Sequence, residues 1–111
     1  MKIFQGDVAY IPVSEEQFQK ILGNKKFKGK KIVDSFIVVH GESGNSHKIK
    51  VDTKDLVEIM ECGEGIFGLK IRGQAIITHE KHLPEQKLGS GLYLVTRKTE
   101  YDPIEERLVR D

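Results

Sequence analysis

The stretch His47-Lys48-Ile49-Lys50-Val51 decides the fold class. Its side chains alternate with a period of two, which is the pattern of a β-strand with one buried face and one solvated face. His47 shares its face with Ile49 and Val51, and both lysines lie on the other face. The pattern therefore predicts a strand with His47 turned toward the core and Lys48 and Lys50 turned away from it.

Similar β-rich runs lie on both sides of this stretch. They cover residues 5–13, 31–39, 56–60, 66–71, 74–79 and 92–97, with glycine and other turn residues between them. Gly63-Glu64-Gly65 and Arg72-Gly73 are typical of hairpin turns. Because no βα unit is repeated, a doubly wound fold is not expected. We expect a mainly all-β protein, a small barrel or sandwich, with residues 1–111 forming a single domain.

One short N-terminal helix interrupts the β pattern. Ser14-Glu15-Glu16-Gln17 is a capping box, in which the Ser14 hydroxyl accepts from the Gln17 amide and the Gln17 side chain returns a bond. Its apolar face is formed by Phe18, Ile21 and Leu22. Gly23 is expected to end the helix as a left-handed cap.

Composition limits the classes of function. Hydrophobic residues are 38% and charged residues 32% of the chain, which is the balance of a globular protein. The net charge of +1 favours neither nucleic acid nor a membrane surface strongly. No apolar run approaches the ~20 residues of a membrane span, and residues 1–13 lack a signal-peptide core. With a single cysteine, Cys62, no internal disulfide is available, so a cytoplasmic location is expected.

Five lysines are concentrated between residues 23 and 31: Lys25, Lys26, Lys28, Lys30 and Lys31. Two interpretations remain open for this segment. One is a solvated loop, and the other is a flap whose positive potential attracts phosphate. Only Phe27 interrupts the lysines, so the segment by itself lacks the aromatic residues of a base-stacking platform.

Histidine and glutamate recur together in two clusters. The first runs from His40 through Glu42 to His47, and the second is His79-Glu80-Lys81-His82. Strand phase places His79 on one face with Ala75 and Ile77, and it places His40 in line with Phe36 and Val38. We therefore expect histidines at strand ends, at the mouth of a barrel, where ligands commonly bind.

Metal-independent phosphodiester cleavage is one chemistry that such a site could perform. One imidazole removes a proton from a ribose hydroxyl and another protonates the leaving oxygen, since a pKa near 6.5 keeps both forms populated. The pair is His47 with His79, or His79 with His82, and Glu42 or Glu80 would orient a ring. The candidates for substrate binding are Arg97, Lys81, Lys98 and Tyr101. This interpretation needs no cofactor, and its ligand is RNA or a cyclic nucleotide.

Two other interpretations remain open. His47, His79 and His82 with one glutamate could bind a divalent transition metal in a cupin-like protein, although the spacing matches neither His-Glu-x-x-His nor His-x-His. Alternatively, the histidines could be hydrogen-bonded core residues of a non-enzymatic domain that binds a partner. A homodimer with its site across the interface is compatible with each interpretation.

The chain resembles a family of small uncharacterised bacterial and phage proteins. The matching residues are Gln5-Gly6-Asp7-Val8, Gly41-Glu42, Gly44, His47, His79-Glu80, His82, Leu88, Gly91, Tyr93, Arg97 and Glu100-Tyr101-Asp102-Pro103. Asn45 stands where the family has a first histidine, and Lys81 replaces a second glutamate, which weakens a metal site that needs both histidines. The family's phage setting implies a role in defence or counter-defence. The leading expectation is a nuclease-like phosphodiesterase.

Overall fold

The structure is a computed structural model, and it describes residues 2–5, 8–23, 26–40, 46–52, 54–63, 65–79 and 84–97. The prediction of a mainly all-β chain with one short helix is confirmed. The described elements are β1 (Ile3–Gln5), β2 (Val8–Val13), α1 (Glu15–Leu22), β3 (Lys30–Lys31), β4 (Ser35–His40), β5 (Ser46–Val51), β6 (Leu56–Glu61), β7 (Phe67–Arg72), β8 (Ala75–His79), β9 (Gln86–Leu88) and β10 (Gly91–Arg97). Among them, no helix has the length and apolarity needed to cross a membrane.

The strands form two antiparallel sheets. One has six strands in the order β1-β2-β10-β7-β6-β3, and the other has four in the order β4-β5-β8-β9. The main core lies between them, because its buried side chains come from both sheets. They include Val8, Val57, Leu69 and Val95 from the larger sheet and Ile49, Ala75, Ile77 and Leu88 from the smaller one. Of the two expected architectures, this arrangement is a sandwich.

The helix covers the outer face of the six-stranded sheet. Ser14 and Gln17 exchange the two bonds of the predicted capping box, at 3.1 and 3.0 Å, which confirms the predicted start of the helix. Phe18 and Leu22 pack in a second buried cluster with Ala9 and other residues of the sheet. The helix can approach the sheet this closely because residue 68 of β7 is glycine. A Cβ atom at Gly68 would lie 2.7 Å from the Phe18 ring.

Two predicted strand ranges were wrong. Residues 5–13 are not one strand, because Gln5 pairs with Val8 and the chain therefore reverses between β1 and β2. The predicted strand 31–39 is divided into β3 and β4, which belong to different sheets. The predicted end of the helix at Gly23 is confirmed. Gly23 has a positive φ of 66°, but its ψ of −132° lies outside the left-handed helical region.

The two predicted hairpin turns have different outcomes. The β6–β7 connection is a hairpin, with the Cys62 amide donating to Ile66 and the Ile66 amide donating to Gly63. Arg72-Gly73 is instead a crossing between the sheets, because β7 and β8 are not paired. The Ser90 hydroxyl fixes this crossing by accepting from the Gly73 amide and donating to the Gly73 carbonyl, both at 2.9 Å.

One long edge of the sandwich is closed by glutamine side chains. The Gln5 amide nitrogen on β1 donates to the carbonyl oxygens of Ile77 and Pro84, at 3.0 and 3.1 Å. The Gln86 amide nitrogen on β9 donates back to the Phe4 carbonyl at 2.8 Å. These bonds join the edge of the larger sheet to the smaller sheet and bring the end of β1 close to the end of β8.

Candidate functional site

The topology gathers several strand ends at one end of the sandwich. In the larger sheet, Gln5 pairs with Val8, which also pairs with Arg97 at the end of β10. In the smaller sheet, His47 and His79 are direct partners near the start of β5 and at the end of β8. The bonds from Gln5 to β8 hold these ends together. We call this region the histidine end.

Two imidazole rings are in contact at the histidine end. His47 and His79 face each other across the β5–β8 ladder, and their ring centroids are 4.4 Å apart with an angle of 61° between the planes. A site with one proton-transfer centre requires groups within hydrogen-bond reach of a shared partner. The pair is close enough for both rings to act in one site.

The two rings differ in their exposure. His47 is 1% exposed, and its Nδ1 atom is fully buried. His79 is only half-buried. A ligand that enters from solvent therefore meets His79 first, and His47 forms the wall behind it.

Strand phase predicted the face of His47 correctly. His47, Ile49 and Val51 are buried, Lys50 is exposed, and Lys48 is half-buried. The alternation is reliable here because one face of the smaller sheet covers the core, so a slip of one residue would bury the lysines. The prediction that Lys48 and Lys50 lie on the other face is confirmed.

The register beside His40 is irregular. The prediction that His40 lies in line with Phe36 and Val38 assumes unbroken alternation, but the β4–β5 register shifts between Ile37 and Val39. The backbone of Val39 is paired with His47, and that of His40 with Ser46. The direction of the His40 side chain stays a prediction.

Two further polar side chains lie buried in the interior near this end. Gln5 is 2% exposed and Tyr10 is 0% exposed. Among the described residues, neither the Gln5 Oε1 atom nor the Tyr10 hydroxyl has a hydrogen-bond partner. Burial raises the pKa of the Tyr10 hydroxyl well above its ordinary value. Neither residue is assigned a role from the sequence, although each interrupts an apolar strand with a polar group.

The predicted site residues fall partly inside and partly outside the described ranges. Glu42, Glu80, Lys81, His82, Lys98 and Tyr101 lie outside the described residues. Arg97 is described and is exposed at the end of β10. The structure therefore brings together His47 and His79, with Arg97 at the same end of the sandwich. The roles predicted for the other residues stay predictions.

The metal interpretation and the family resemblance both involve residues outside the described ranges. Within the described ranges, no group of three or more His, Cys, Asp or Glu side chains is arranged to hold a metal ion. The resemblance to bacterial and phage proteins stays a prediction. Comparison with known protein families, with curated proteins and with solved structures finds no match to this chain.

Proposed function

We propose that the protein is a small phosphodiesterase that cleaves RNA or a cyclic nucleotide by metal-independent histidine chemistry. The observation that carries this proposal is the contact between His47 and His79 at an end of the sandwich where Arg97 is exposed. Imidazole is suited to proton transfer near neutral pH because both of its protonation states are accessible there. A cytoplasmic location, a homodimer and a role in phage defence or counter-defence belong to the same proposal.

The unequal burial of the two rings gives them different roles. His79, which is half-buried, would contact the substrate and remove the proton from the ribose 2′-hydroxyl. The 2′-oxygen then attacks phosphorus, the bond to the 5′-oxygen breaks, and that oxygen takes a proton from an acid. Of the two residues predicted as partners of His79, we assign this acid to His82, because His47 is buried. His47, which is buried against His79, would be a positioning residue that fixes the orientation of the His79 ring.

Arg97 would bind the phosphate during this reaction. A guanidinium group is a planar cation that can donate two parallel hydrogen bonds to a phosphate. Preorganised cations of this kind stabilise the charge that develops on the phosphoryl oxygens in the transition state. We therefore expect Arg97→Lys to retain part of the activity and Arg97→Gln to lose more of it.

The direct test is cleavage of labelled RNA and cyclic oligoadenylates by the full chain in the presence of EDTA. His79→Ala should lower kcat/KM by about 100-fold or more, which is the usual contribution of a general acid or base. Thr78→Ala is the matched control, because Thr78 is the adjacent residue of β8 and lies on the other face of the sheet. The proposal fails if wild-type turnover does not exceed that of His79→Ala.

A second candidate is a metal-binding module, and the spacing of the rings favours it over the partner-binding alternative. Two imidazoles on one zinc ion have centroids about 5 Å apart, given Zn–N bonds of about 2.0 Å and tetrahedral angles. The observed separation of 4.4 Å is near that value. Elemental analysis of untagged protein distinguishes the two candidates. A stoichiometric transition metal that is lost in His79→Ala would favour the metal-binding module, as would activity that EDTA abolishes.

A further inference from the structure

A cavity opens along the long edge of the sandwich that lies opposite the glutamine bonds. At this edge, β3 and β6 of the larger sheet approach β4 of the smaller sheet. The cavity has a volume of about 320 Å³. Its walls include Phe36, Met60 and Phe67 as apolar groups and Lys28, Lys30 and Glu61 as charged groups. One long edge is therefore closed by hydrogen bonds, whereas the other holds a space lined by rings and charges.

The apolar wall of the cavity is formed mainly by two phenyl rings. Phe36 on β4 and Phe67 on β7 meet edge to face, with centroids 6.4 Å apart and an angle of 71° between the planes. Both side chains are half-buried and pack against the main core at its margin. Such partly exposed rings are suited to contact with a planar aromatic ligand, which gains from stacking as well as from burial.

The charged wall comes from the edge strand. Lys30 pairs with Ile59, a buried core residue, and directly paired residues share a face of the sheet. Lys30 is therefore on the inner face, beside the cavity. Lys28 precedes it by two residues, and its backbone amide donates to the Met60 sulfur at 3.1 Å, which anchors the segment. Two ammonium groups on one wall match a phosphate dianion better than a carboxylate.

The carboxylate of Glu61 would orient a ligand bound in the cavity. Glu61 pairs with Phe67 at the end of the β6–β7 ladder, so it is beside the rings. A carboxylate repels an anion and accepts hydrogen bonds from hydroxyl or amino groups. A ligand with phosphate at one end and donor groups at the other satisfies both kinds of wall.

We propose that this cavity binds a single nucleotide unit, with its base against Phe36 and Phe67 and its phosphate on Lys28 and Lys30. The volume of about 320 Å³ lies at the lower limit of small-molecule sites, which suits one nucleotide rather than an oligonucleotide. The choice of a nucleotide over other aromatic phosphates rests on the proposed phosphodiesterase function. The evidence for an aromatic wall and a cationic wall does not depend on that function.

The cavity and the histidine pair are neighbours along the smaller sheet. Phe36 stands opposite Ile49, which is two residues from His47 on β5. Two residues of a strand span about 7 Å, which is less than the length of one nucleotide. A base held at Phe36 would therefore belong to a substrate that continues toward His47 and His79, and the cavity would select the nucleotide next to the cleaved bond.

Binding of adenosine 5′-monophosphate to the full chain, measured by calorimetry and by NMR shifts of cavity residues, tests the proposal. Adenosine and ribose 5-phosphate should each bind at least about tenfold more weakly, because each lacks one of the two recognised groups. The double variant Lys28→Gln/Lys30→Gln should weaken binding by a similar factor and reduce its dependence on salt. Phe67→Leu should weaken binding of adenosine 5′-monophosphate while leaving ribose 5-phosphate unaffected.

The matched control for charge is Lys50→Gln/Lys87→Gln. Both control lysines are exposed and lie on the outer face of the smaller sheet, in one row with Ile76. The proposal is overturned if the two double variants weaken binding equally, if no binding occurs at millimolar ligand, or if octanoate binds more tightly than the nucleotide. Binding of adenosine 5′-monophosphate without cleavage of any phosphodiester would support the cavity proposal and refute the proposed phosphodiesterase function. Cleavage with an unchanged KM in Lys28→Gln/Lys30→Gln would refute the cavity proposal alone.

Discussion

Tyr10→Phe is expected to leave the protein as stable as the wild type at neutral pH and less sensitive to alkali. Tyr10 is 0% exposed between the two sheets, and its hydroxyl has no hydrogen-bond partner among the described residues. Burial of such a hydroxyl costs about 1–3 kcal/mol. Phenylalanine removes that cost while it keeps the ring and its packing. The free energy of unfolding at pH 7 should therefore be unchanged or higher by about 1 kcal/mol.

The alkaline effect follows from the raised pKa of Tyr10. Burial holds this pKa well above its ordinary value of 10.0, so the unfolded chain releases the proton before the folded chain does. The stability that Tyr10 contributes is complete below pH 10 and is lost as pH rises above it toward the folded-state pKa. At pH 11 the loss is about 1 kcal/mol, and Tyr10→Phe should remove this part of the pH dependence.

Urea unfolding followed by circular dichroism at pH 7, 9, 10 and 11 measures both effects. Tyr93→Phe is the matched control. Burial also raises the pKa of Tyr93, but its hydroxyl donates to the Gly89 carbonyl at 3.0 Å. That variant should lose about 1 kcal/mol at pH 7, the usual value of one hydrogen bond. A loss above about 2 kcal/mol for Tyr10→Phe at pH 7, or an unchanged alkaline dependence, would refute the reasoning.

Two further changes test the contacts that hold the layers together. Gln5→Met removes two donated hydrogen bonds, to Ile77 and Pro84. It should lower the free energy of unfolding, measured by urea titration, by about 1–3 kcal/mol. A smaller change would mean that these bonds do not hold the sheets together. Gly68→Ala forces a Cβ atom toward Phe18 and should cost about 1–3 kcal/mol. Phe18→Leu in the same chain should recover part of that loss, and strictly additive effects would contradict the contact.

The sequence predicted local features whose causes are themselves local. Ser14 and Gln17 form the capping box because three residues of helix bring those groups together whatever the rest of the chain does. The face of His47 was also predictable, because apolar and charged side chains alternate without a break after it and one face of its sheet packs on the core. In both cases the residues that carry the pattern are adjacent in the chain.

The features that the sequence did not predict depend on partners that are distant in the chain. Gly73 indicates a turn, but a turn residue does not specify whether the next strand pairs with β7 or joins the other sheet. The irregularity in β4 between Ile37 and Val39 has no signal in the sequence, because it is defined by the pairing of β4 with β5. Phe67 reaches the lysine segment only through tertiary structure, so no aromatic platform was predicted there.

The distribution of polar groups inside the sandwich supports a site at the histidine end independently of any motif. Gln5, Tyr10 and His47 are all buried in the half of the interior nearer that end. In the other half, Tyr93 is buried with its hydroxyl bonded to the Gly89 carbonyl, and the neighbouring buried side chains are apolar, among them Val51, Val57, Ile71, Ala75 and Leu88. Buried polar groups cost free energy unless they are satisfied, so stability alone would favour an apolar interior at both ends. Buried polar side chains that do not serve stability are concentrated where proteins bind and react. Here they lie beside His47 and His79, the two histidine rings that the described part of the chain brings into contact.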